Sequence, residues 1–226
     1  MTILRANVFV AALICIAVFL AGCSANMNST ESDTDFKGVE TIVQTNQNDT
    51  EQYTQDTKIS DVINDTVFGD YGRLIFPVNS SYYSGDTLGE LGLTWYNNIA
   101  PDKTVEIANY MKSHAENGDV IFYDIYTDEE KATDPAKEDT GLFFFKGNPG
   151  ERFAVCNAGG GFAYVGAMHD SFPHALELSK MGYNAFALIY RPGAQTACED
   201  LARAISFILC AGHGMSSVGD KPTTGS

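Results

Sequence analysis

Positive charge is scarce in this chain: 14 Lys and Arg face 29 Asp and Glu, a formal net charge of −15 over 226 residues. Nucleic-acid phosphates are held by clustered Lys and Arg, so this balance speaks against a nucleic-acid partner. It speaks equally against simple electrostatic attraction to anionic lipid, and solubility is the plain reading of the acidity. Cysteine is also short of usable pattern. Apart from Cys15 and Cys23, only Cys156, Cys198 and Cys210 are present, an odd number without C-x-x-C spacing. Neither a disulfide framework nor a zinc site follows, and buried free thiols are expected. The run Gly159-Gly160-Gly161 lacks the G-x-G-x-x-G spacing of a dinucleotide fingerprint, and no Lys-Ser/Thr pair follows it to make a P-loop. No cofactor and no metal is implied. No internal repeat is visible. What is present suffices for one domain, with 44% hydrophobic residues and 12% aromatics.

The N-terminus carries the sharpest local signal. Arg5 precedes an uncharged stretch from Ala6 to Gly22, rich in apolar residues from Leu13 to Leu20. That is the length of a signal-peptide core with its cleavage site, and marginal for a membrane-spanning helix. Leu20-Ala21-Gly22-Cys23 resembles a bacterial lipobox, in which small residues precede a cysteine that receives a diacylglycerol before cleavage. An ordinary secretory signal or an uncleaved anchor is the alternative, but Cys23 falls at the right end of the apolar run. The resemblance implies a lipoprotein signal peptide over 1–22 and lipidation, with fatty acyl chains such as palmitate, at Cys23. The protein would then be exported and anchored to the outer face of the bacterial cell membrane, or to the outer membrane where the host has one. Residues 23–60 are rich in Asn, Thr, Ser, Gln and Asp, and their acidic side chains outnumber Lys37 and Lys58. Such a segment buries too little to offset its ordering entropy and reads as a disordered tether.

Apolar density rises from residue 61. Val67–Asn79 is expected to contain an edge strand ended by Pro77. Pro101-Asp102-Lys103-Thr104 opens a helix whose stripe is Val105, Ala108, Met111 and Ala115, stopped by Asn117-Gly118. Asp119–Thr127 alternates as a strand, a charged loop runs from Asp128 to Thr140, and Leu142–Phe145 is a strand. Asn148-Pro149-Gly150 turns into the strand Phe153–Cys156, which the glycine run follows. Ser171 reads as the N-cap of a helix with Pro173 in its first turn, ending at Gly182. Tyr183–Tyr190 is a buried strand broken by Arg191-Pro192-Gly193, and a helix over Thr196–Leu209 buries Leu201, Ala204, Ile205 and Ile208. Residues 210–226 read as an unstructured tail. The fold class is α/β, and the strand–loop–helix–strand–helix order predicts a mostly parallel sheet with crossover helices.

Consecutive glycines let a backbone bend freely and expose its N–H groups, which, aimed at one point, stabilise an oxyanion during acyl transfer. Ala158-Gly159-Gly160-Gly161-Phe162 resembles the HGGG-type loop of α/β-hydrolase esterases and lipases. Phe172–Arg191 and Cys198–Ile205 are similar to the helix, strand and helix that follow it there. The likeness is strongest to acetyl-xylan/feruloyl-esterase-like and hormone-sensitive-lipase-like branches and covers residues 140–209. It implies that 61–209 is the N-terminal part of an incomplete α/β-hydrolase domain. The backbone amides of Gly160 and Gly161 would then serve as oxyanion donors, and a small-molecule or acylated carbohydrate ester would be the substrate. Hydrolysis would proceed through an acyl-enzyme, a Ser attacking while a His, oriented by an acid, moves the proton. One departure is plain, since Ala158 stands where the motif has His.

No G-x-S-x-G elbow occurs, and the expected nucleophile, acid and His are absent. The nearest imitation, Gly214-Met215-Ser216-Ser217-Val218-Gly219, has no apolar strand leading into it, so Ser216 and His213 read as tail residues. His169 and His174 precede the expected nucleophile, out of the hydrolase order, and His114 sits on a helix without an evident partner. The chain is therefore expected to be inactive as it stands, ending before the nucleophile, with an unpaired sheet edge beside Tyr183–Tyr190. The alternative is a non-catalytic surface lipoprotein that binds a carbohydrate or a protein. Trp95 and the Tyr82-Tyr83 pair would then stack on sugars if exposed, core burial being their other role.

Overall fold

The computed structural model describes residues 51–76, 81–93 and 100–215. Its elements, in chain order, begin with a short helix α1 (Ile59–Ile63) and a 3-10 segment (Thr66–Leu74). A two-stranded antiparallel ribbon follows, β1 (Tyr83–Ser84) with β2 (Gly92–Leu93). Next come α2 (Pro101–Glu116), β3 (Phe122–Tyr123), α3 (Asp128–Thr133), a 3-10 turn (Pro135–Asp139) and β4 (Gly141–Phe145). The last part is β5 (Phe153–Asn157), a 3-10 turn (Ala167–His169), α4 (Ser171–Lys180), β6 (Asn184–Ile189) and α5 (Ala194–Met215).

The strands β3 to β6 make one sheet in the order β3-β4-β6-β5. The β3–β4 and β4–β6 pairs are antiparallel and only β5–β6 is parallel, so the sheet is mixed, not mostly parallel. Parallel neighbours need a crossover, which the segment between β5 and β6 supplies with α4 and the short link from β4 to β5 has no room for. The short link from β4 to β5 instead passes over the entrance of β6, where the Asn148 N–H donates to Gly182 O (2.8 Å) and the Gly147 N–H to Asn184 Oδ1 (3.1 Å).

β6 is consequently central, paired on both sides, and five of its six residues are buried. The expected unpaired edge beside 183–190 is corrected: among the described residues the edges of the sheet are β3 and β5. Phe153 on β5 is 44% exposed although that strand carries no charge.

Side chains alternate across the sheet with period two. Phe143 and Phe145 meet Phe172 of α4 at ring-centroid distances of 5.1 and 5.8 Å, and Phe145 stacks on Tyr110 of α2. On the opposite face Phe144 stacks on Phe186, and Tyr123 meets Phe207 of α5. Helices thus cover both faces, and Phe143, Phe145, Phe172 and Phe186 are essentially inaccessible to water. Truncating one such aromatic typically costs about 3–5 kcal/mol.

Several boundaries differ from the sequence reading. Tyr53 and Ile59, inside the segment read as tether, are buried: Tyr53 donates its hydroxyl to Asp65 and its backbone N–H to Asn109 Oδ1 (2.8 Å). Two apolar anchors and specific bonds suffice where composition alone indicated disorder. From Val67 to Leu74 the apolar run is a 3-10 segment, not an edge strand, with Phe68 and Leu74 buried, while Pro77 and Asn79 lie outside the described residues. The stretch read as a strand over 119–127 pairs only at Phe122–Tyr123, and the charged loop that follows holds α3 with a Thr127/Glu130 capping box. Asp170, not Ser171, is the N-cap of α4. α5 continues through residues read as tail to Met215, and Ile205, expected in its core, is 40% exposed. Of the three cysteines expected to be buried, Cys156 is half-buried and Cys198 and Cys210 are exposed. Cys23, Trp95, Ser216 and Ser217 lie outside the described residues.

Candidate functional site

The glycine run leaves the C-terminal end of β5, beside the matching end of its parallel neighbour β6, and leads toward α4. In α/β sheets that end of a crossover is where ligands bind. Gly160, Gly161 and Phe162 all have positive φ, at 143°, 59° and 61°. Phe162 is the only non-glycine in this state among the described residues, and such a conformation costs about 1–3 kcal/mol unless the surroundings hold it.

Tertiary bonds do hold it. The Gly193 N–H, in the turn after β6, donates to Phe162 O at 2.8 Å. The Tyr190 hydroxyl donates to Ala158 O at 2.8 Å and lies 3.4 Å from Tyr164 O. The Gly159 N–H donates to Asp170 Oδ2 at 2.6 Å. The Gly166 N–H donates to Gly159 O and the Ala163 N–H to Gly160 O, both at 3.0 Å. The Tyr83 hydroxyl closes the far side on Val165 O at 3.2 Å.

These bonds aim the remaining donors. In a trans peptide the N–H points opposite to the carbonyl of the same plane. Pinning Gly159 O therefore turns the Gly160 N–H away from Gly166, and pinning Gly160 O turns the Gly161 N–H away from Ala163. Among the described residues nothing accepts from the N–H of Gly160, Gly161 or Phe162. The two amides singled out from sequence are unbonded and oriented by their own neighbours. Gly160 also has no room for a side chain, because a Cβ there would lie 1.9 Å from Tyr164 O.

The groups around the loop are poorly suited to attack. Burial, and then the Asp170 carboxylate, push the Cys156 thiol above its ordinary range, so it stays protonated and weakly nucleophilic. Burial holds His169 below the usual histidine range, with Asp170 opposing, and its Nδ1 is buried without a hydrogen-bond partner. Ser171 Oγ is likewise buried and unpartnered. His174 is exposed on α4 and places Nδ1 2.7 Å from Asp170 O. His114, left without a partner by the sequence, lies 2.7 Å from Asp119 Oδ2 and against the Tyr110 ring. Tyr82 and Tyr83, half-buried, pack on Tyr164 at 4.8 and 6.2 Å between ring centroids.

Sequence reasoning missed Asp170, Tyr190 and Gly193 as parts of this site. Only the missing motif histidine at Ala158 hinted that the loop needed another brace. Among the described residues no helix is long and apolar enough to cross a membrane. No family model matches this chain, and no curated protein or solved structure is detectably similar to it.

Proposed function

We propose that residues 61–209 are the N-terminal part of an α/β-hydrolase-type carboxylic ester hydrolase, borne on an exported chain anchored through a lipid on Cys23. The observation that carries this reading is the pair of unbonded amides at Gly160 and Gly161, oriented by pinned carbonyls at the end of a parallel strand pair. Such donors stabilise the oxygen of a carboxylic ester as its carbonyl becomes tetrahedral, which is the step an oxyanion hole serves. Two further features support it. The loop joins the third strand of the sheet to the helix that follows, the location of the oxyanion loop in α/β-hydrolases. The first, second, fourth and third strands of the sheet lie side by side, antiparallel, antiparallel and parallel, as such sheets begin. Acylated carbohydrates are the substrate class that the resemblance implies.

The loop needs a nucleophile, and no G-x-S-x-G elbow occurs in these residues. The 226-residue chain should therefore hydrolyse no short-chain aryl ester above a denatured control and take no fluorophosphonate label. Fusing an elbow strand and the later acid and His segments from an esterase of this architecture after α5 should restore both. Turnover by the unfused chain that disappears in Ser216→Ala or Ser217→Ala would overturn the proposal. So would a folded fusion that binds acylated polysaccharide without cleaving it.

A further inference from the structure

Asp170 occupies the N-cap of α4, where an aspartate ordinarily accepts a hydrogen bond from its own helix. It makes no such bond, its backbone lying at a φ of −131° and a ψ of −80°, and its other oxygen, Oδ1, lies 3.5 Å from His174 Nδ1. The oxygen Oδ2 accepts instead from the Gly159 N–H at 2.6 Å, the length of a charge-assisted bond. We infer that Asp170 is a positioning residue for the glycine loop, doing from α4 what the absent motif histidine at Ala158 cannot do from the strand end. The inference rests on the oxyanion-loop reading above, because only there does the direction of the Gly160 and Gly161 amides matter to chemistry.

The bond acts on the loop through its peptide planes. The plane between Ala158 and Gly159 is held at both ends, its carbonyl by the Tyr190 hydroxyl and its N–H by Asp170. The next plane starts from that fixed Gly159 and is held by Gly166 through Gly159 O. Gly159 can therefore rotate about neither side, and the Gly160 N–H leaves it in one direction. Without Asp170 the plane entering Gly159 keeps only the Tyr190 bond, one hold instead of two, at a residue with the widest rotational freedom of any. The titratable groups facing the carboxylate are Cys156 on β5, His169 before α4, His174 on it, Tyr83 on β1 and Tyr190 after β6.

The test uses the full chain, labelled with 15N-glycine, as wild type, Asp170→Ala and Asp170→Asn. In the wild type the Gly159 amide should resonate downfield and exchange at least about tenfold more slowly than Gly160 and Gly161, as one bond to a charged acceptor implies. Asp170→Ala should abolish that difference and broaden the Gly160 and Gly161 resonances, while the amides of α4 from Ala175 onward keep their protection. Asp170→Asn keeps a neutral acceptor, so it should recover the sharp Gly160 and Gly161 signals without the downfield Gly159 shift. A folded Asp170→Ala protein with Gly159 unchanged would overturn the inference. Loss of protection throughout α4 would also overturn it, since Asp170 would then be acting on its helix; if Asp170→Ala does not fold, Asp170→Asn with an unshifted Gly159 decides. In the elbow fusion, Asp170→Ala should lower kcat with KM little changed, and Asp170→Asn should restore most of it. An inactive fusion whose Gly159 bond behaves as described would sink the esterase reading alone.

Discussion

Replacing Asp200 should be among the most damaging single changes available in this protein. Asp200 is fully buried on α5 and accepts from the Arg191 backbone N–H (2.8 Å), from Arg191 Nε (3.1 Å) and Nη2 (2.8 Å), and from the Tyr126 hydroxyl (2.7 Å). Burial and then the Asp200 carboxylate push the Tyr126 hydroxyl up to about 12, so it stays a donor. The Arg191 side chain is 8% exposed, and its only other carboxylate among the described residues, Asp134, is 43% exposed. Asp200→Ala leaves a buried guanidinium with one half-wet partner, and breaking such a pair from one side costs about 3–5 kcal/mol. Against a typical stability of about 5–15 kcal/mol, the urea midpoint should fall by about a fifth or more, with m unchanged. Asp200→Asn keeps the geometry and gives up the charge, for about 1.5–3 kcal/mol. The double variant Asp200→Leu/Arg191→Met removes both charges and should recover most of the loss, since apolar replacement of a buried pair is often neutral or better. Circular dichroism through a urea titration reads all three. An Asp200→Ala cost below about 1 kcal/mol at unchanged m would refute the argument. Because Gly193, in the turn that Arg191 begins, holds Phe162 O, the same variant should also loosen the glycine loop.

Gly160→Ala should disorder the loop, since its Cβ would meet Tyr164 O at 1.9 Å, whereas Gly161→Ala meets nothing within 4 Å and should cost only about 1–2 kcal/mol for its left-handed φ. Equal effects in a thermal melt would contradict this. His169 is held below its ordinary 6.5 by burial, so the folded state binds fewer protons than the unfolded one. Its stability contribution is complete above pH 6.5 and is lost as the pH falls from there. His169→Leu should flatten the decline in urea midpoint between pH 6.5 and 5, and a decline as steep as the wild type's would remove His169 as its source. The open β5 edge is uncharged with Phe153 exposed, so Phe153→Lys should reduce concentration-dependent association in gel filtration, and unchanged association would clear that edge. Cys23→Ser should abolish lipid modification and leave a precursor or released protein, and mass spectrometry finding unmodified Cys23 in the membrane-bound mature form would exclude the anchor.

Elements whose evidence is local were legible in the sequence. The Pro101 start and Gly118 stop, at a φ of 78°, bracket α2, and Ala108 and Met111 of its expected stripe are buried. β6 lies inside its apolar run, and β4 covers its own with Gly141 added in front. Strand order was not legible, because it depends on which elements the β4–β5 link crosses, and the bonds that decide this join Gly147 and Asn148 to the entrance of β6. Assigning the bare edge to 183–190 followed from placing the missing elbow strand beside it, whereas β4 and β5 pair it on its two sides. The apolar run at Val67 failed for another reason: a short apolar run does not distinguish a strand from a tight helix. Tyr53 was missed because one aromatic in a polar segment carries no periodicity.

The candidate site divides along the same line. Three glycines in a row reveal permission: they say that the backbone there can take positive φ, and nothing about where its amides point. Direction comes from the carbonyls, and four of them are held by residues outside the run, Ala158 O by Tyr190, Gly159 O by Gly166, Gly160 O by Ala163 and Phe162 O by Gly193. Each of those residues has an ordinary reading in sequence, as does Asp170: a strand end, a loop residue, a turn glycine, a helix cap. A loop made of the least constrained residues must draw its order from its surroundings, so the direction of its amides is a property of β5, β6 and α4 together. A graft of Gly159–Gly161 into another strand–helix junction would carry the freedom without the aim. The aim requires Ala163 and Gly166 as well, with Asp170, Tyr190 and Gly193 around them.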